Sequence, residues 1–416
     1  MSSEGGKNAI ILSDLRAVPV AAALDIWLRE KGGDFFIARA SIRHRDFGDT
    51  VSLPQKWAVV LMLKIVGRLT VVPTVRQNSE RNLYHGFMSS LISITNSRLA
   101  DESEHPTLAR ELRQLEDGAL SVYEQIKSRG YEQVFLFNGR TASTQPIAKE
   151  LSRNGAAKIM IYEWGGQARR TYLKVPHPRH DMVAEGKRIM AWASARNYTY
   201  DVGEAESYKR LKLANAFALS PNENLVGKYN TVIFSGSPHE HAVVDVPNLS
   251  GLDGDVMGLV NRAIASGEAI PPIALRMHPN MTKDPSLRRQ LDHLSQMLDP
   301  QGVDIIPPAN RVSAIDLIRE AKVVIVGNST VGLDSIFYDK WPVIVGHPPY
   351  KDLAETVKKS FPDDYSLRLA GLLARYTDEH VETFGVTANF VWMTLRLFEV
   401  THRGLPGRSR LSHHAS

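Results

Sequence analysis

Residues 323–346, VVIVGNSTVGLDSIFYDKWPVIVG, constrain the fold of this chain more than any other stretch. Residues 323–326 form a β-branched run of the kind buried on both faces of a parallel sheet, and it stops at Gly327. Asn328, Ser329 and Thr330 then offer helix-capping oxygens, after which Val331, Leu333, Ile336 and Phe337 recur at roughly helical spacing. A strand therefore hands over directly to a helix. The free N–H groups at such a helix start carry about half a positive charge of macrodipole, and in open doubly wound sheets ligands sit at those strand ends. An anion such as a phosphate suits the position. The same residues also suit a plain turn and cap with no ligand.

A second strand end points the same way. IALRMHPN at 273–280 opens with the apolar run 273–276, so His278 should emerge two residues beyond a strand, with Pro279 blocking further pairing. An imidazole there can donate to a phosphate oxygen, and Arg276 or Lys283 could add charge. A lone histidine is usually structural; two loops converging from one sheet are less easily dismissed.

The earlier half repeats the pattern. The run 135–137 ends at Asn138, Gly139 and Arg140, an amide and a guanidinium fork that also fit a simple turn. The run 158–162 ends at Glu163 and Trp164, followed by Gly165 and Gly166. A carboxylate beside Trp164 could have its pKa raised by desolvation and act as a base near neutrality; a surface glutamate in a turn is the alternative. In VPHPRHD, His177, His180 and Asp181 lack a firm further ligand for a metal, and Asp181 could simply cap the helix that follows. Ser235, Gly236 and Ser237 follow a strong strand at 231–234, and His239, Glu240 and His241 continue a loop that could be merely polar.

A chain of 416 residues exceeds one ordinary core and fits two domains. Strand and helix patterns alternate, with strands expected at 9–12, 35–40, 134–137 and 158–162, and helices at 18–29, 83–98, 106–128, 144–154 and 181–197. Turn formers at 214–230 mark the boundary. Expected domains are therefore 1–225, 226–385, and a helix with a basic tail at 386–416, with the last helices expected at 366–377 and 384–402. With no cysteine there is neither a disulfide framework nor a thiolate metal site. The amino terminus lacks a basic region followed by a long apolar one, and residues 57–73 are broken by Lys64 and Arg68, so a buried helix and strand are expected there and a cytoplasmic location overall. The formal charge of +5 and the basic tail allow a peripheral contact with anionic lipid or glycan; no basic run interleaved with aromatics suggests nucleic acid.

VIFSGSPHEH, LRMHPN and the long segment from IIPPANRV through PVIVG, preceded in order by VFLFNGRTASTQPIAKEL, IMIYEWGG and VPHPRHDMVAEGKRIMAW, resemble bacterial capsule polysaccharide biosynthesis glycosyltransferases, over about residues 130–350. The resemblance implies a GT-B fold, two facing Rossmann-like domains with parallel sheets and C-terminal helices bracing both lobes, and elements similar to those with which capsule Kdo-transferases and polysialyltransferases hold a CMP-sugar. By that likeness Ser235, Gly236, Ser237, Arg276, His278, Pro279, Asn328, Ser329, Thr330 and Asp334 would bind the donor. Asp334 stands where many relatives carry Glu. Asn138, Gly139, Arg140 and His180 would bind the acceptor, while Glu163 and His278 would be catalytic.

An inverting transfer needs a base at the acceptor hydroxyl, the place expected for Glu163. No DxD pair stands at a strand end, so metal-independent transfer with no cofactor is expected, the donor being a nucleotide sugar and the acceptor a glycan or glycolipid. Contact with the inner membrane or capsule assembly proteins would be peripheral. A sugar-nucleotide epimerase of the same fold, a CDP-glycerol polymerase of the teichoic-acid type, and a non-catalytic assembly scaffold are the alternatives.

Overall fold

Short apolar runs become the strands of two sheets. The computed structural model describes residues 8–12, 34–39, 41, 69–75, 84–95, 102–164, 170–174, 182–216, 227–236, 256–283, 287–380 and 382–385. In chain order the earlier half comprises β1 (Asn8–Leu12), β2 (Asp34–Ala38), β3 (Leu69–Val72), α1 (Tyr84–Thr95), α2 (Pro106–Arg129), β4 (Gln133–Phe137), α3 (Gln145–Asn154), β5 (Lys158–Trp164), β6 (Arg170–Lys174), α4 (Met182–Ala195) and α5 (Val202–Ala216). The later half comprises β7 (Thr231–Phe234), α6 (Val256–Ala265), β8 (Ile273–Arg276), a 3₁₀ turn (Pro279–Lys283), α7 (Leu287–Leu298), β9 (Val303–Ile306), α8 (Ala314–Glu320), β10 (Val323–Val326), α9 (Val331–Phe337), β11 (Val343–Ile344), α10 (Lys351–Ser360), α11 (Tyr365–His380) and β12 (Glu382–Gly385).

The first sheet runs β12-β6-β5-β4-β1-β2-β3 and the second β11-β10-β7-β8-β9. Within each, the five strands counted from the sheet's own first strand lie parallel in the order 3-2-1-4-5, a Rossmann-like winding. The chain is thus α/β with two Rossmann-like sheets, in agreement with the GT-B class expected from the sequence. Parallel strands covered on both faces need continuous apolar runs, and β1, β7 and β8 are buried at every position. The winding reverses between β1 and β4 and again between β7 and β10, and those two crevices are where such folds take ligands.

The second sheet shows how alternation serves two layers. Ile233, Leu275, Val303 and Ile325 join Val256, Leu259, Val260, Leu294 and Leu298 on one face, packing against α6 and α7. Val232, Phe234, Ala274, Val324 and Val326 join Ile315, Leu317 and Ile318 on the other, against α8. Each fully buried aliphatic side chain contributes about 2 kcal/mol, so a one-residue register slip that exchanged the faces would cost far more than the fold can spare.

Three features depart from the sequence reading. β6 was not expected; it pairs antiparallel to β5, so the first sheet is mixed at that edge. Residues 384–402 were expected to begin a helix, whereas Glu382–Gly385 is a strand that closes the first sheet beside β6; the rest of that span lies outside the described residues, as do the expected helices at 18–29 and within 57–68. α4 and α5, which precede the second sheet in sequence, share a core with the helices that follow it: Ile189, Trp192 and Ala205 with Phe337, Leu353, Leu369 and Leu372.

A half-buried amine fastens α8 to α9. The Lys340 ammonium donates to the carbonyls of Ile318 (2.5 Å), Arg319 (2.8 Å) and Ala321 at the carboxyl end of α8, groups a helix leaves without partners. Lys340→Met keeps the stem and removes those bonds. The expected result is a loss of about 2 kcal/mol in urea unfolding, with the m-value unchanged.

Candidate functional site at the strand ends of the second sheet

Because β10, β7 and β8 are paired flush, with Val326 opposite Phe234 and Phe234 opposite Arg276, their three following loops leave the sheet level with one another. Ser235, His278 and Asn328–Thr330 are thereby brought together around the point where the winding reverses.

Ser235 is a latch. Its backbone N–H donates to the Arg276 carbonyl (3.1 Å) and its hydroxyl to the same oxygen (3.4 Å), while Oγ accepts the N–H of His278 (3.0 Å). His278 is half-buried, and its carbonyl accepts the N–H of Met281 (3.0 Å) to start the turn at Pro279, itself exposed. Burial, aided by the Arg276 charge, pushes the imidazole below its ordinary pKa of 6.5. The ring is therefore mainly neutral at pH 7, a form in which one nitrogen carries the donor proton and the other is an acceptor.

Arg276 takes a different part from the one the sequence suggested. The residue is only 4% exposed, and its guanidinium donates to the carbonyls of Met277 (3.0 Å), Pro307 (2.8 Å) and Asn310 (2.8 Å). It stitches β8 to the loop after β9. What it offers an incoming anion is charge from beneath the site, since three of its five donors are already engaged.

The Asn328–Thr330 triplet divides its labour. Asn328 Oδ1 accepts the N–H of His347 (2.6 Å), Ser329 Oγ accepts the N–H of Val331 (3.2 Å) and caps α9, and the Ser329 carbonyl accepts the Tyr350 hydroxyl (2.6 Å). Thr330 is exposed and its hydroxyl makes no capping bond. Asp334, in the first turn of α9, is half-buried; desolvation pushes its carboxyl up to about 6, partly opposed by the Lys212 ammonium on α5. Gly236 is half-buried at the end of the latch loop, and Ser237 lies outside the described residues.

At the corresponding crevice of the first sheet, Asn138 holds a left-handed backbone (φ 64°), its N–H donating to the Tyr162 carbonyl (2.8 Å). Its Oδ1 is buried and accepts no hydrogen bond among the described residues. Gly139 and the half-buried Arg140 follow it. Glu163 was expected just past a strand end; β5 instead runs on to Trp164, and Glu163 is paired in the ladder with Tyr172 of β6. Its side chain, like His177, His180, Asp181 and residues 239–241, lies outside the described residues.

The sequence reading passed over one loop of this site. PVIVGHPPY repeats, after β11, the strand-then-His-Pro pattern already noted after β8, and its Gly346–Tyr350 segment is bonded directly to the Asn328–Ser329 loop. The repeated motif was the signal that could have found it.

No family model matches the sequence, and no curated protein matches it. Among solved structures it is similar to Thermosulfurimonas dismutans KpsC, a β-Kdo 2,7 transferase, at 12% identity over 88% of this chain and 99% of that one, with a TM-score of 0.42. It is also similar to Methanocaldococcus jannaschii UDP-GlcNAc 2-epimerase in complex with UDP-GlcNAc and UDP, at 10% identity over 90% and 99%, with a TM-score of 0.31. The amino-terminal domain of Candida albicans trehalose-6-phosphate phosphatase gives 11% identity over 97% and 98%, with a TM-score of 0.36. These are distant likenesses of fold, and no residue role is taken from them.

Two titrations at the site act on stability with opposite signs. The depressed His278 means that the unfolded chain binds the proton first, so stability falls as pH drops below 6.5 towards the folded pKa. The raised Asp334 means that the native state binds it first, so stability gains as pH falls from about 6 to 3.8. In chemical denaturation across pH 4–7, His278→Gln should therefore lose less stability on acidification than the wild type, and Asp334→Asn should lose more. Parallel profiles for all three proteins would contradict the assigned environments.

Proposed function

We propose that the chain is an inverting, metal-independent glycosyltransferase that takes a sugar from a nucleotide donor, CMP-linked in our reading, and delivers it to a surface or capsular glycan or glycolipid. The observation that carries this reading is the convergence of a neutral imidazole, an exposed threonine hydroxyl and a half-buried carboxyl at the level ends of β8 and β10, on either side of the latch after β7, where the winding reverses. The carboxyl of Asp334 is costly to ionise where it is half-buried, and ribose hydroxyls donating to it would relieve that cost. The His278 imidazole donates to a phosphate oxygen, and the Arg276 charge beneath it favours an anion. Thr330 supplies a further donor.

In this reading the domain of residues 226–385 holds the donor and that of 1–225 the acceptor, with Asn138, Gly139, Arg140 and His180 on the acceptor side. Glu163 removes the acceptor proton as the oxygen attacks the anomeric carbon, and the nucleotide departs from the opposite face as its phosphate gains charge. Preorganised donors at the phosphate lower the barrier because they need not reorient as that charge develops. The work is done at the cytoplasmic side of the membrane; none of the described helices is long and apolar enough to cross it.

Glu163→Gln should leave nucleotide affinity nearly intact and reduce turnover by at least about a hundredfold, as expected for loss of a general base. His278→Ala should weaken the nucleotide instead, and EDTA should leave the rate unchanged. Near-full transferase rates in both variants would refute the site. Conversion of a nucleotide sugar without any acceptor would favour an epimerase, phosphodiesters in the product a CDP-glycerol polymerase, and binding of partners without turnover a scaffold.

A further inference from the structure

The loop Gly346–Tyr350 is built onto the Asn328–Ser329 loop as one body. β11 continues the parallel register of β10, the Val345 N–H donates to the Val326 carbonyl (3.0 Å), and the His347 N–H and the Tyr350 hydroxyl reach Asn328 Oδ1 and the Ser329 carbonyl. Gly346 lies so close that a Cβ there would stand 2.6 Å from the Gly327 carbonyl carbon and 2.7 Å from Asn328 Oδ1, which only glycine tolerates. Pro348 and Pro349 fix the backbone that follows, and the Lys351 ammonium donates to the Gly346 carbonyl (3.2 Å). In this segment Gly346, Pro348 and Tyr350 are buried and Pro349 half-buried, while His347 is exposed. A rigid loop thus presents one imidazole at the carboxyl end of the sheet.

We propose that His347 is a second anion-contacting residue of the donor site, an inference that rests on the donor site proposed above. In the second sheet His278 follows β8 and His347 follows β11, three strand spacings apart, or about 14 Å. Between them stand the latch after β7 and the α9 loop. The two loops flank the crevice between β10 and β7 from its opposite sides, so the two imidazoles take different anionic groups of one ligand. His278 takes the phosphate next to the nucleoside. His347 takes the group beyond it, which is the second phosphate of a nucleoside diphosphate or the carboxylate of a sugar acid. Because the loop is already ordered, the contact forms with little loss of conformational freedom.

The test is calorimetric titration of the wild type, His347→Gln and His278→Ala with CMP, CDP, UMP, UDP and CMP-N-acetylneuraminate, the last a CMP-linked sugar acid. His347→Gln should weaken a two-anion ligand by about tenfold and leave the corresponding monophosphate within about twofold, with the thermal midpoint unchanged. Loss confined to the diphosphates assigns the contact to the second phosphate; loss confined to the sugar acid assigns it to the carboxylate. His347→Lys supplies a donor to an anion from the same position and should restore most of the affinity, which a merely structural role would not predict. If His347→Gln weakens no ligand, or weakens monophosphates and two-anion ligands alike, the proposal is overturned. His278→Ala should weaken all the ligands; if it weakens none while His347→Gln discriminates, the His278 assignment fails and that of His347 stands. A wild type that binds none of these ligands overturns both.

Discussion

Three parallel strands that end level are the constraint on which the rest depends. The flush pairing of β10, β7 and β8 is enforced by burial on both faces: Ile233, Leu275 and Ile325 must meet one helical layer while Val232, Ala274 and Val324 meet the other. Since side chains alternate with a period of two, no neighbouring register satisfies both layers. The chemistry of the loops is therefore placed by hydrophobic packing that has nothing to do with a ligand.

Where polar groups sit so close to a dry sheet, most of them must be consumed in satisfying one another. Ser235, Arg276, Asn328 and Ser329 all sit at the strand ends with polar side chains suited to an anion, yet the first three tie one loop to the next and Ser329 accepts the N–H of Val331 at the start of its own helix. Loss of the bonds that Ser235 and Arg276 make would leave a carbonyl or amide unpaired where it is partly or wholly shielded from water. Thr330 and His347 are exposed on this scaffold, and His278 stands half-buried beside them at the strand end. Residues that build such a site and residues that touch its ligand are different sets.

That division explains what could be read in advance. β7, β8 and β10 were legible to the residue, because a strand buried on both faces must be a continuous apolar run bounded by glycine, proline or polar residues. β6 and β12 were not: RTYLK mixes charge with apolar residues and lacks a continuous apolar run, and its partner ETFG lies more than two hundred positions away, a pairing no local pattern reports. Arg276 looked like a ligand contact because a guanidinium at a strand end is conspicuous in sequence, whereas the carbonyls of Pro307 and Asn310 that engage it become visible only in three dimensions. Glu163 was placed one step too far along because the run 158–162 ends the apolar stretch, but the ladder continues through polar residues into a hairpin. The Gly346–Tyr350 loop carried its signal openly, in a second His-Pro, and needed only the sheet order to show that it stands beside the first set of loops.

The most direct measurement is a crystal structure of the chain soaked with CMP or CDP. The account predicts a nucleotide at the crevice between β7 and β10, its first phosphate within hydrogen-bonding distance of the His278 ring and its ribose beside Asp334. A nucleotide bound away from those strand ends, or a crevice that stays empty while the nucleotide occupies the first sheet, would contradict it.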